Sequence, residues 1–166
     1  MNKAMLIVDR GSREPEVKEE LEVICSAISR NYPGMYSYTT YCFLEVVPPC
    51  IEDGISNCIA NGADFITIIP YFLYPGMKLK DSVKKVASIS RSKDVRVAIA
   101  KPLSKNTKMA EVILRRVHET KRENSLQLSD FECDLLLIGH GSSDRRAREA
   151  FDYMVDLLRP NFRSVR

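Results

Sequence analysis

Short apolar runs alternate along this chain with longer segments whose apolar positions recur at helical spacing. The runs at 4–9, 38–44, 65–70, 95–99 and 134–139 are compact and largely uncharged, which predicts strands buried on both faces. Between the first two, residues 14–30 set Val17, Leu21, Ile24, Cys25 and Ile28 on one helical stripe, with Pro15 tolerated in the first turn. Pro48-Pro49 then opens a helix carrying Ile51, Ile55, Cys58 and Ile59, and Asn61-Gly62 stops it. Residues 80–91 predict a short basic helix with Val83, Val86 and Ala87 inward. Residues 106–122 predict a longer one through Ala110, Ile113, Leu114 and Val117. Strand and helix alternation of this kind predicts an α/β fold with a mainly parallel sheet flanked by helices. Its functional loops should lie at the carboxyl ends of the strands.

The pattern also repeats. Leu6-Ile7-Val8-Asp9-Arg10-Gly11-Ser12-Arg13 returns as Leu136-Leu137-Ile138-Gly139-His140-Gly141-Ser142-Ser143, an offset of 130 residues. The register continues into the following helix, where Leu21 matches Phe151, Ile24 matches Met154 and Ile28 matches Leu158. A repeat this long predicts two related units in tandem. At 166 residues the chain holds one of them with only the opening of another. The expected division is a complete unit at 1–120, a polar linker at 121–132, and the first strand and helix of a second unit at 133–166. That second copy stops just before its counterpart of Tyr41 to Glu45.

A net charge of +3 gives no basis for nucleic-acid or membrane binding, and no apolar run is long enough to span a bilayer. Five cysteines without a C-x-x-C pair suit reduced, mostly buried thiols in a cytoplasmic protein better than a structural zinc site.

Chemistry concentrates on the predicted rim. Asp9-Arg10-Gly11-Ser12-Arg13 follows the first strand, Glu45 ends the second, and Pro70-Tyr71-Phe72-Leu73-Tyr74-Pro75-Gly76-Met77-Lys78 follows the third. A parallel sheet places all three together, with Arg10, Glu45 and Lys78 facing a shared cleft. Ser12 reads as a helix cap with Glu14 in the first turn, although backbone N–H groups at such a turn also suit a carboxylate or phosphate. Tyr71 and Phe72 fit ordinary core and the wall of a pocket for a flat ligand equally well. His140 stands out because it occupies the repeated turn, where the first copy has Arg10. His118, on a charged helix face, reads as solvated.

These residues together resemble the small class II chelatases, the sirohydrochlorin cobaltochelatase and ferrochelatase family. That family shows a strand ending in His-Gly-Ser-Arg, a second ending in Phe-Leu-Glu with a proline soon after, and a third reading Pro-Tyr-Phe-Leu, two residues, Gly, one residue, His. Here the first is Arg10-Gly11-Ser12-Arg13, the second is intact as Phe43-Leu44-Glu45-Val46-Val47-Pro48, and the third ends in Lys78. The likeness covers residues 4–103 and resumes at 134–166.

The resemblance implies a three-layer chelatase-like fold and insertion of a divalent metal, Co²⁺ or Fe²⁺, into a sirohydrochlorin-type tetrapyrrole of cobalamin or sirohaem synthesis. The metal is substrate, and no organic cofactor is implied. Family histidines and glutamate act as metal ligands and bases. Carried over by position, the catalytic and metal-binding candidates are His140 and Glu45. Substrate-binding candidates are Arg10, Gly11, Ser12, Arg13, Tyr71, Phe72, Lys78, Gly141 and Ser142. Because Arg10 and Lys78 replace both histidines of the first unit, a non-catalytic tetrapyrrole carrier or partner subunit is the alternative. A nucleotide-binding module fits less well, since neither Gly-Ser turn has G-x-G-x-x-G or a Walker pattern. The exposed apolar face of the incomplete second unit predicts a homo-oligomer.

Overall fold

Four of the five expected strands form one parallel sheet. The computed structural model describes residues 2–166. Strands β1 (Lys3–Asp9), β2 (Tyr38–Phe43), β3 (Phe65–Pro70) and β4 (Arg96–Ile99) lie in the order β2-β1-β3-β4, all parallel. The central strand β1 alternates between two cores, as a strand covered on both faces must. Ala4, Leu6 and Val8 face Ile51, Ile55 and Cys58 of helix α2 (Ile51–Ala60) and Val86 of α3 (Met77–Ser92). Ile7 turns the other way, onto Leu21 and Cys25 of α1 (Pro15–Asn31). The result is a helix–sheet–helix sandwich.

One contact sets how closely α2 approaches the sheet. A Cβ on Gly54 would sit 2.8 Å from Cys42 Cβ and 2.9 Å from Leu6 Cδ1, so only glycine allows that approach.

The chain divides into two compact units, one comprising 1–72 with 77–102, the other 73–76 with 103–166. Helix α4 (Lys108–Glu123) therefore groups with the second unit, although its sequence position suggested the first. Its Ala110 packs in one cluster with Met154 and Leu158 of α5 (Arg145–Leu158) and with Phe162, beside Ile113, Leu114 and Val117. The expected linker is shorter too, because α4 runs to Glu123 and Lys121 is tied to Asp130 at 2.5 Å. His118 is not simply solvated: its Nε2 lies 2.7 Å from Asp130 Oδ2.

The fifth strand is much shorter than expected. β5 is only Asp134–Leu135, paired in parallel with β6 (Ser164–Val165). Leu136 and Ile138 remain 69% and 81% exposed, whereas their counterparts Leu6 and Val8 are fully covered by α2 and α3. That face lacks a covering layer, while Leu135 and Leu137 on the other pack against the cluster of Met154, Leu158 and Phe162, and the ladder ends with Leu137 N donating to Arg166 O at 2.9 Å.

The cysteines divide by burial. Burial pushes the Cys25 thiol up to about 11, helped by Glu22, and the Cys58 thiol up to about 12; Cys42, fully enclosed, is raised as well. Cys50 and Cys133 are only half-buried. Titration of the native chain with an aromatic disulfide at pH 8 should therefore modify Cys50 and Cys133 quickly and the other three only on unfolding. Rapid modification of Cys42 in the folded chain would contradict this core.

Candidate functional site

The carboxyl rim of the sheet is assembled by extending the strand pairing into the loops. Leu44 N donates to Asp9 O at 2.9 Å and Glu45 N to Arg10 O at 3.1 Å, so the loop after β2 stays bound to the loop after β1. Asp9 Oδ1 then accepts from Gly11 N at 2.7 Å and bends the chain back. Gly11 adopts φ +98, and a Cβ there would lie 2.1 Å from the Glu45 carbonyl oxygen. Only glycine fits this turn on both counts.

Glu45 is fixed from its other side by Val47 N, which donates to Glu45 O at 3.0 Å across Val46. Val46 has φ 77, a left-handed conformation that costs a β-branched residue about 1–2 kcal/mol. Strain of this kind at a rim loop marks a position held by its surroundings.

Three charges meet here. Arg10 Nε donates to Glu45 Oε1 at 3.0 Å, and Lys78 Nζ to Glu45 Oε2 at 2.7 Å. Each carboxylate oxygen is thus committed to one cation. Lys78, then Arg10, hold the Glu45 carboxyl below its ordinary 4.5. The charged form is therefore favoured by folding, and its contribution to stability is complete above pH 4.5 and lost as pH falls through the lower, folded-state value. Acid titration should leave these pairs intact from pH 8 to 5 and break them only below that, measured on the Glu45 carboxyl by NMR.

The remaining rim residues are placed less centrally. Lys78 belongs to the first turn of α3, which starts earlier than its periodicity suggested. Ser12 does not cap α1, whose cap position is Glu14; its Oγ instead accepts from Glu14 N at 3.1 Å within the turn. Arg13 is exposed. Tyr71 and Phe72 point to opposite layers, Tyr71 against the α1 core and Phe72 against the α2–α3 core. Tyr71 Oη donates to Glu20 at 2.7 Å, and burial followed by this bond pushes its pKa up to about 12. Two surface hollows, one along α4 and one at the amino end of β1 and β2, include none of Arg10, Glu45 and Lys78.

The repeated turn has the same local build. Ser142 Oγ accepts from Asp144 N at 3.1 Å, and Gly141 takes φ +74. Asp144 caps α5 by accepting from Arg146 N at 3.0 Å. His140 is exposed and belongs to the second compact unit, whereas Arg10, Glu45 and Lys78 belong to the first.

Comparison with known proteins gives this arrangement its context. The family model described as CbiX matches residues 4–120. The chain belongs to the CbiX family. It is 28% identical to a sirohydrochlorin ferrochelatase of Priestia megaterium over 163 residues, 94% of this chain but 57% of that protein. A sirohydrochlorin cobaltochelatase of Saccharolobus solfataricus is 27% identical over 128 residues, covering 72% of this chain and 97% of the relative. Among solved structures, SirB from Bacillus subtilis with Fe³⁺ superposes with a TM-score of 0.83 at 23% identity, over 99% of this chain and 64% of that one. A SirB complex with cobalt gives 0.80 at 22% identity. Against the longer relatives the chain thus spans less than two thirds of their length.

The rim sets one carboxylate between two cations. Among the described residues no group of three or more His, Cys, Asp or Glu side chains gathers as for a metal ion. The full chain should therefore bind Co²⁺ only weakly, with a Kd well above micromolar by calorimetry at pH 7.5. Arg10→His with Lys78→His should tighten it, since both new groups are neutral ligands there. Sub-micromolar binding abolished by Glu45→Gln would overturn that expectation. Neither the Glu20–Tyr71 bond nor the Asp9–Gly11 bend was visible in the sequence. An acid immediately before an X-Gly turn was the one available signal for the second.

Proposed function

We propose that this chain belongs to a cytoplasmic sirohydrochlorin-type chelatase, in which a divalent metal, cobalt or iron, replaces the two inner pyrrole protons of the tetrapyrrole. The reading rests on the named activities of its relatives, together with retention of His140 in the repeated turn. A neutral imidazole there suits both tasks, ligating the incoming metal and accepting a pyrrole proton near neutral pH. By sequence repeat, residues 1–120 make one chelatase-like copy and 133–166 open a second, joined through 121–132, although packing groups 103–120 with the latter. Self-association through the exposed Leu136 and Ile138 face is part of the proposal.

The test is metal-dependent loss of free sirohydrochlorin absorbance, with Co²⁺ or Fe²⁺, above the rate in buffer. His140→Ala should lower that rate roughly a hundredfold. A specific observation favours a second reading, that of a carrier or partner subunit: both oxygens of Glu45 are spent on Arg10 and Lys78. Binding of the tetrapyrrole without acceleration of metal insertion would decide for the carrier.

A further inference from the structure

The ion pairs on the first rim organise two cations as much as they neutralise an anion. Glu45 takes one N–H from Arg10, through Nε, and one from Lys78. A guanidinium has five N–H donors and an ammonium three, so each cation keeps donors beyond those given to Glu45. Arg10 and Lys78 side chains are 63% and 45% exposed, against 34% for Glu45. All three side chains reach solvent, the carboxylate least. The trio carries a net positive charge; on the same loop exposed Arg13 adds to it, while Asp9 and Glu14 offset it.

Helix α3 strengthens this sign. Its first turn contains no acid and carries Lys78, although the positive end of the helix dipole disfavours a cation there. Lys78 brings that helix end to Glu45, so the positive end of the dipole and the ammonium act on the same spot. The pairings Leu44 to Asp9 and Glu45 to Arg10 fix the spacing of the two loops before any ligand arrives. To receive a divalent metal, Glu45 would have to break two charge-assisted bonds and hold the ion beside two cations. To receive a carboxylate, nothing need break.

We infer that the first-unit rim is a clamp for a polycarboxylate ligand, with Arg10 and Lys78 as its gripping residues and Glu45 as the anchor that spaces them. The inference rests on the proposed tetrapyrrole function for the identity of the ligand, and it assigns this rim to the ligand's peripheral carboxylates and not to its metal.

A metal-free octacarboxylate porphyrin is the probe, titrated by fluorescence into the full chain at low and at high salt. Wild type should bind it, more weakly as salt rises, and should not bind its fully methyl-esterified form, which keeps the ring and removes the charges. Arg10→Gln should weaken binding about tenfold and the double Arg10→Gln, Lys78→Gln variant about a hundredfold. The charge-preserving pair Arg10→Lys, Lys78→Arg should recover most of the affinity, which separates charge recognition from misfolding. Wild-type affinity in the double glutamine variant, equal binding of the ester, or no binding by wild type would overturn the clamp. Metal insertion measured in parallel keeps the two readings distinct. Insertion with a failed clamp sinks only this inference, while clamp binding without insertion sinks only the chelatase reading.

Discussion

Gly11→Ala should lower the melting temperature by roughly 15 °C, while the same change at the matching position, Gly141→Ala, should lower it by only about 5 °C. The two glycines occupy one turn design, each with positive φ, so both substitutions carry the penalty of about 1 kcal/mol for a left-handed alanine. They differ in what a Cβ meets. At Gly11 it would fall 2.1 Å from the Glu45 carbonyl oxygen, which is backbone and cannot rotate away; at Gly141 nothing lies within 4 Å. Separating the two loops at Gly11 breaks the pairing of Glu45 N with Arg10 O and brings the total to about 3 kcal/mol. Porphyrin binding should fall with it, because the anchor moves. Matching shifts for the two variants, read by circular dichroism, would mean that the close approach at Gly11 carries no energetic weight.

Truncating one core should unfold one unit and spare the other. Leu158 is fully buried among Ala110, Met154 and Phe162, and Leu6 is fully buried among Ile51, Ile55 and Ile66. A leucine to alanine change in such a site removes about 2–5 kcal/mol. The second unit is the smaller, and small domains have little stability to spare. Leu158→Ala should therefore expose 103–166 to protease and to rapid amide exchange while β1 to β4 stay protected. Leu6→Ala should strip protection first from the four-stranded sheet. Equal loss of protection across the whole chain in both variants would show a single cooperative structure in place of two units.

What could be read from the residues follows from how local each determinant is. β1 and β3 appear in the sequence because strands covered on both faces must be apolar throughout, and α1 and α2 because their stripes face one core each. The run 134–139 satisfies the same rule yet pairs only at Asp134–Leu135, since strand length depends on neighbours and a covering layer that no local pattern encodes. Likewise the stripe Ala110, Ile113, Leu114 and Val117 states that α4 buries a face, but not which unit receives it. On the rim, topology alone brings Arg10, Glu45 and Lys78 together. The division of Glu45's two oxygens between the two cations depends on side-chain geometry, and so does the Tyr71–Glu20 bond across 51 residues.

The short segment Leu73–Gly76 leaves the first unit and returns to it at Met77, belonging meanwhile to the second. Its partners are Ser104, whose N–H donates to Leu73 O at 2.9 Å, and Phe151, whose ring centre lies 6.3 Å from that of Tyr74. On the ribosome these four residues emerge well before Phe151, and at about 5–20 residues per second the interval is several seconds. The sheet of the first unit can close in that time, leaving the segment as a solvent-exposed loop awaiting its ring partner. Protease sensitivity at Tyr74 in stalled nascent chains should thus act as a clock, persisting until α5 has left the exit tunnel and disappearing once it docks.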